Sequence, residues 1–190
     1  MLTHTELKKG VKIVLDKEPY EVLEANPMKK AQRRPVIQSR IKNLITSNVF
    51  ERNFHQGETF EEAEIEKIKA KFLYGHRDKF FFCQEDNSSF RFDLPKQTIG
   101  DGYTFLKPNE IVEAMRFEGK IINVLLPIKV KLKVVEAPPG IKGDRAQGGT
   151  KLVALESGAK INVPLFIKEG DVIEINIENK EYVRRVEEHL

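Results

Sequence analysis

The chain has 190 residues, of which 40% are hydrophobic and 32% are charged, and its formal net charge is +3. This length and composition allow one to three small cores and exclude a disordered chain. A single cysteine excludes an internal disulfide framework and a multi-cysteine metal site, and no apolar run approaches the ~20 residues that span a bilayer. We therefore expect a cytoplasmic protein without a membrane partner.

Most segments alternate apolar and polar residues, which is the period of half-buried strands. The clearest is 128–134, where lysines occupy every second position. The predicted strands, in chain order, are 11–15, 20–25, 36–46, 79–84, 120–126, 128–134, 160–167 and 171–178. Helical signals are few, and the best is 106–115, where Asn109 is suited to cap a helical turn. The sequence therefore predicts an all-β fold.

Three stretches are candidate boundaries: the acidic segment 61–66, the Leu126-Pro127 step and the Gly/Pro-rich segment 137–150. Division near residues 63 and 127 produces the pieces 1–63, 64–127 and 128–190. Each piece contains enough predicted strands for a small barrel.

Positive charge is concentrated in the segment 28–36, MKKAQRRPV, which follows a predicted strand. Its four cations surround Gln32, and they are Lys29, Lys30, Arg33 and Arg34. No acidic residue occurs from Ala25 to Phe50. Such a loop is suited to phosphate contacts, and the alternative is a solvated charged turn.

No combination of residues predicts an active site. The four histidines occur singly, and no His/Cys/Glu spacing resembles a zinc site. Cys83 lies in the apolar context FFFCQ and is expected to be a buried thiol. The segment 143–150 has the glycine spacing of a phosphate-cradling loop, but Gly149 stands where the lysine is required. We expect no enzyme, no cofactor and no metal, and a small hydrolase is kept only as a nominal alternative.

Ordered motifs along the chain resemble the bacterial elongation factor P family. The motifs are GVKIVLDKEPYEV near the start, PGIKGD, SGAKINVPLF and EYVRRV in the last third, and, less specifically, DKFFF and IGD in the middle. The resemblance covers essentially the whole chain and is strongest at its two ends.

The resemblance implies an SH3-like (KOW-like) barrel followed by two OB-type barrels, together shaped like a transfer RNA, in agreement with the three pieces above. It also implies a monomeric translation factor that performs no chemistry itself. Such a factor binds the ribosome beside the peptidyl-tRNA, stimulates peptide-bond formation and relieves stalling at consecutive prolines. Its partners are the ribosome, the peptidyl-tRNA and messenger RNA in the exit site.

In the family, the loop corresponding to 28–36 contacts the CCA end of the tRNA through a lysine that is often modified. Ungapped counting from Glu18-Pro19-Tyr20 places Gln32 at that position, and glutamine cannot accept the known modifications. We expect an unmodified tip in which Gln32 contacts the CCA end and the four cations hold phosphates. If the loop is shifted by one or two residues, Lys30 or Arg33 occupies the tip instead.

The resemblance implies two further sets of contact residues in the last third. The first is an RNA-contacting loop, in which Arg145 replaces the family's threonine; its residues are Lys142, Gly143, Asp144 and Arg145. The second consists of Tyr182 and Arg185, whose alternative role is packing of the last strand. A function from another class also stays open: a generic single-stranded nucleic-acid-binding protein, which would need exposed aromatic residues along a basic groove.

Overall fold

The computed structural model describes residues 1–28, 36–139 and 149–186. Sixteen strands account for nearly all regular structure in these ranges, and the helices are single turns: α1 (Lys96–Ile99) and the 3-10 segments His4–Glu6 and Asp101–Phe105. The strands are β1 (Leu2–Thr3), β2 (Lys12–Leu15), β3 (Glu18–Met28), β4 (Val36–Asn43), β5 (Val49–His55), β6 (Thr59–Glu62), β7 (Ile65–His76), β8 (Lys79–Gln84), β9 (Arg91–Pro95), β10 (Ile111–Phe117), β11 (Lys120–Leu125), β12 (Lys129–Glu136), β13 (Thr150–Leu155), β14 (Lys160–Pro164), β15 (Val172–Asn176) and β16 (Glu181–Val186). The predicted all-β class is confirmed.

The strands form three sheets. The first has the order β1-β6-β2-β3-β4-β5, the second β11-β10-β7-β8-β9 and the third β14-β13-β12-β15-β16. When the strands of each sheet are numbered separately, the second and third sheets share the order 3-2-1-4-5. This shared order is typical of the five-stranded Greek-key OB barrel.

The chain forms two compact units, one of Met1–Lys69 with Glu113–Val124 and the other of Ala70–Val112 with Leu125–Leu190. The first unit contains a core between the strands of the first sheet, built from Leu7, Ile13, Leu15, Val22, Ile41, Phe54 and Phe60. The largest cluster of the second unit lies on the inner face of the third sheet and includes Val130, Leu132, Val153, Val163, Ile173 and Ile175. The predicted division at 63 and 127 falls between strands, and the three-domain boundaries stay a prediction.

One local prediction is wrong. The segment 106–115 is not a helical turn, because Asn109 adopts a φ of 68° in a turn and β10 begins at Ile111. The backbone of this turn is held by β7, since Asn109 N–H donates to the Phe72 carbonyl at 2.8 Å. Within the acidic segment 61–66, β6 ends at Glu62 and β7 starts at Ile65, so a break between strands lies inside this candidate boundary.

Two sequence-based predictions are confirmed by burial. Cys83 is a buried free thiol, and β12 alternates exposed lysines with the buried Val130, Leu132 and Val134. Its inward residues pack because β12 lies at the centre of the third sheet, between β13 and β15. Among the described residues, no helix is both long and apolar enough to span a membrane.

Candidate nucleic-acid interface

The segment 28–36 emerges from the longest hairpin of the first sheet, formed by β3 and β4. After a register shift between Val22 and Glu24, the pairing of the two strands continues to Met28 opposite Val36. On its other side β4 pairs with β5 up to Val36 opposite His55. We call the hairpin end formed by 24–28 and 36–40 the arm. Its two strands are therefore paired up to the residues that flank 29–35.

The predicted tip residues Lys29, Lys30, Gln32, Arg33 and Arg34 lie outside the described residues. The same is true of Lys142, Gly143, Asp144 and Arg145 in the predicted third-domain loop. The structure thus describes the strands that flank the segment 29–35, and these site assignments stay predictions.

The outward face of the arm becomes uncharged toward its end. At its base, Arg40 Nη1 donates to Glu24 Oε1 at 2.8 Å. The next row, across three strands, is Asn26 opposite Gln38 and Gln38 opposite Asn53. All three amides are exposed. Amide groups both donate and accept hydrogen bonds, which suits contacts to phosphate and sugar oxygens.

This amide row was missed at the level of sequence. The three residues are far apart along the chain, and only the register of β3, β4 and β5 places them side by side. The base row contains two carboxylates, Glu24, which is paired with Arg40, and the exposed Glu51, which lies opposite Arg40 on β5. The amide row contains no carboxylate and lies between this base row and the end of the arm.

Asn43 secures the base of the same hairpin. Its side-chain oxygen accepts the backbone N–H groups of Ile45 at 2.8 Å and Thr46 at 2.9 Å. Its amide nitrogen donates to Glu18 Oε2 at 2.6 Å, and the residue is buried. Asn43 thereby ties the start of β3 to the turn that follows β4.

Replacing Asn43 by alanine is expected to lower the free energy of unfolding by about 1–3 kcal/mol, since two backbone donors in part-buried hydrogen bonds lose their acceptor and Glu18 loses a donor. Urea unfolding measures the change. Asn48→Ala is the matched control, because Asn48 is exposed in the same turn, and it is expected to change stability little. Equal losses in the two variants would contradict the role assigned to Asn43.

Tyr182 and Arg185 lie on β16 at the edge of the third sheet. Tyr182 pairs with Ile175 and packs against the buried cluster of that sheet. Arg185 Nη1 lies 4.0 Å from Asp171 Oδ2, and its side chain is 45% exposed. The packing alternative therefore accounts for Tyr182, whereas Arg185 keeps an exposed guanidinium.

Within 1–28, 36–139 and 149–186, no group of three or more His, Cys, Asp or Glu residues is arranged to hold a metal ion. In the second sheet Phe80 and Phe82 are buried. Tyr74 is 51% exposed and stacks on Phe81 with ring centroids 4.7 Å apart.

Known proteins resemble this chain in sequence and in fold. Residues 3–60 match the model of the elongation factor P (EF-P) KOW-like domain, and residues 130–185 match that of elongation factor P, C-terminal. Elongation factor P of Thermodesulfovibrio yellowstonii is 37% identical over 99% of this chain and 100% of its own length. That of Carboxydothermus hydrogenoformans is 36% identical over 98% of this chain and 100% of its own.

Among solved structures, translation initiation factor 5A from Methanococcus jannaschii matches with a TM-score of 0.51 and 20% identity, over 65% of this chain and 92% of that one. The three sheets define an all-β protein of β-barrel domains, and over 65% of the chain its fold is similar to that of this factor. The near-complete match to the two relatives is more specific. The chain belongs to the elongation factor P family, and the family supports a role in translation elongation.

Proposed function

We propose that this chain binds the ribosome beside the peptidyl-tRNA and stimulates peptide-bond formation, relieving stalling at consecutive prolines. Family membership supports the translational role. The observation that carries the finer proposal is the arm, whose strands are paired to Met28 and Val36, together with the segment 29–35 between them, whose sequence contains four cations around Gln32. A paired base reduces the freedom of the loop ends, so less entropy is lost when the loop binds.

The chain supplies positioning in this proposal, and the bond is made by the ribosome. Proline is a poor nucleophile and donor, so a productive orientation of the CCA end removes part of the entropic barrier. Gln32 is assigned to hydrogen bonds near the CCA end. Lys29, Lys30, Arg33 and Arg34 are assigned to phosphates, because cationic donors make the stronger hydrogen bonds to anions.

The tip is proposed to act without modification, since Gln32 occupies the family's lysine position. Intact mass spectrometry of the native protein tests this point. The unmodified mass supports the proposal, and an adduct on Lys29, Lys30 or Arg33 contradicts it.

The remaining assignments complete the proposed binding mode. The chain acts as a monomer of three barrels, 1–63, 64–127 and 128–190. The loop containing Lys142, Gly143, Asp144 and Arg145 approaches messenger RNA in the exit site. Arg145 adds a cation where the family has a hydroxyl, which favours phosphate contact over base contact. Arg185 is proposed as a further contact because its guanidinium is exposed.

A reconstituted translation assay on a polyproline template tests the proposed function. Addition of the unmodified chain is expected to raise the rate of peptide-bond formation, and Gln32→Ala is expected to reduce the effect more than Lys30→Ala. A selective loss in Lys30→Ala would move the tip to Lys30. No stimulation by the wild-type chain would overturn the proposal.

A generic single-stranded nucleic-acid binder is the second candidate. The exposed Tyr74, stacked on Phe81, favours it, because bases stack on such rings in OB folds. Salt-dependent binding to any oligonucleotide, with no preference for ribosomes, would support this second function over the first.

A further inference from the structure

Three lysines form a row on the outer face of β12, and we call Lys129, Lys131 and Lys133 the lysine row. They are exposed, and the residues between them are buried in the core of the third sheet. Alternate residues of a strand point to the same face about 6.7 Å apart. This spacing is comparable with the distance between successive phosphates of one nucleic-acid strand.

The neighbouring strand β15 brings one carboxylate to this face. Asn176, Glu174 and Val172 lie opposite the three lysines in turn. Glu174 accepts a hydrogen bond from Arg184 Nε at 2.8 Å, and its side chain is only 13% exposed. The pKa of Glu174 is lowered, chiefly by that hydrogen bond and further by the charges of Arg184, Lys129 and Lys131. Its negative charge is therefore already balanced by Arg184.

Other charges near the row do not neutralise it. Lys107 Nζ lies 3.4 Å from the Lys131 carbonyl oxygen and 3.4 Å from Glu156, so Glu156 also has a cationic partner. Glu181 lies opposite Asn176 and accepts a hydrogen bond from Asn179 at 2.6 Å. In the part of the chain that the structure describes, no carboxylate forms an ion pair with the lysine row.

We propose that the lysine row binds the phosphodiester backbone of an RNA strand, as a second contact separate from the loop 28–36. The regular spacing, the exposure and the unpaired charges of the row fit a chain of phosphates. Lysine ammonium groups bind phosphate as point charges, and contacts to phosphate carry no direct sequence information, so this contact is independent of sequence. The inference rests on the proposed ribosome binding only in that ribosomal RNA is the expected partner.

The test compares two triple variants of the full chain. Lys129→Gln, Lys131→Gln and Lys133→Gln remove the row. Lys9→Gln, Lys120→Gln and Lys160→Gln remove the same charge from exposed positions elsewhere. Dissociation constants are measured for purified ribosomes and, in parallel, for protein-free ribosomal RNA at several salt concentrations.

The row variant is expected to bind both partners about tenfold more weakly at low salt. Its slope of log Kd against log salt is expected to fall by about 2, because three phosphate contacts are lost. The control triple is expected to keep the wild-type slope. Replacing the row by three arginines is expected to keep it as well, because arginine retains the charge.

Three other outcomes are decisive. Equal slopes for the row and control variants would overturn the proposal. A loss seen with ribosomes and not with RNA would assign the row to a protein partner and overturn the RNA contact. A row-dependent loss on RNA, with no ribosome binding by the wild-type chain, would support the row and overturn the proposed function.

Discussion

Replacing Lys29, Lys30, Arg33 and Arg34 together by glutamine is expected to lower the stimulation of peptide-bond formation on a polyproline template by roughly 10- to 100-fold, because small errors in positioning have effects of this size on rate. The thermal unfolding of the chain is expected to stay unchanged. The substitutions lie beyond Met28 and Val36, so the paired strands of the arm keep all of their hydrogen bonds. Rates at saturating factor concentration separate this effect from weaker binding.

The matched control removes four exposed lysines outside the arm: Lys9, Lys120, Lys160 and Lys168. It is expected to retain the stimulation, because general charge attraction is screened over about 8–10 Å at physiological salt. If both quadruple variants lose the same activity, bulk charge is responsible and the loop has no special role.

Phe54→Ala is expected to lower the free energy of unfolding of the first unit by about 3–5 kcal/mol, as is usual for a large side chain removed from a core. Phe54 is fully buried and packs edge-on against Phe60, with ring centroids 4.9 Å apart. Phe54 also lies opposite Ile37, which is the second residue of β4. Loss of its ring is therefore expected to loosen the arm as well as the core.

Urea unfolding measures the change in stability, and amide hydrogen exchange at Ile37 measures the loosening of the arm. Phe50→Ala is the matched control on the same strand, since Phe50 is 47% exposed; its cost is expected to be below about 1 kcal/mol. Similar costs for the two variants, or unchanged exchange at Ile37, would contradict the coupling between this core and the arm.

The prediction of strands from alternation succeeded where one face of a strand is buried. In β12 and β15 the apolar residues point to one core, so the period of two is visible in the sequence. The prediction of a helical turn at 106–115 failed. The residues around Asn109 and Glu110 favour a helix locally, but the backbone of both residues is hydrogen-bonded to Phe72 in β7. A partner strand distant in the chain overrode the local preference there.

By itself, the sequence determined the all-β class, the family, the concentration of cations around Gln32 and the common face of the lysine row. These properties depend on residue order and local periodicity, which can be recognised without knowing which segments of the chain pack together. The tertiary structure alone decided which distant residues meet. Strand register aligns Asn26, Gln38 and Asn53 along the arm, and it pairs Glu174 with Arg184 beside the lysine row. Register depends on hydrogen bonds and side-chain packing between remote segments, so no local pattern contains it.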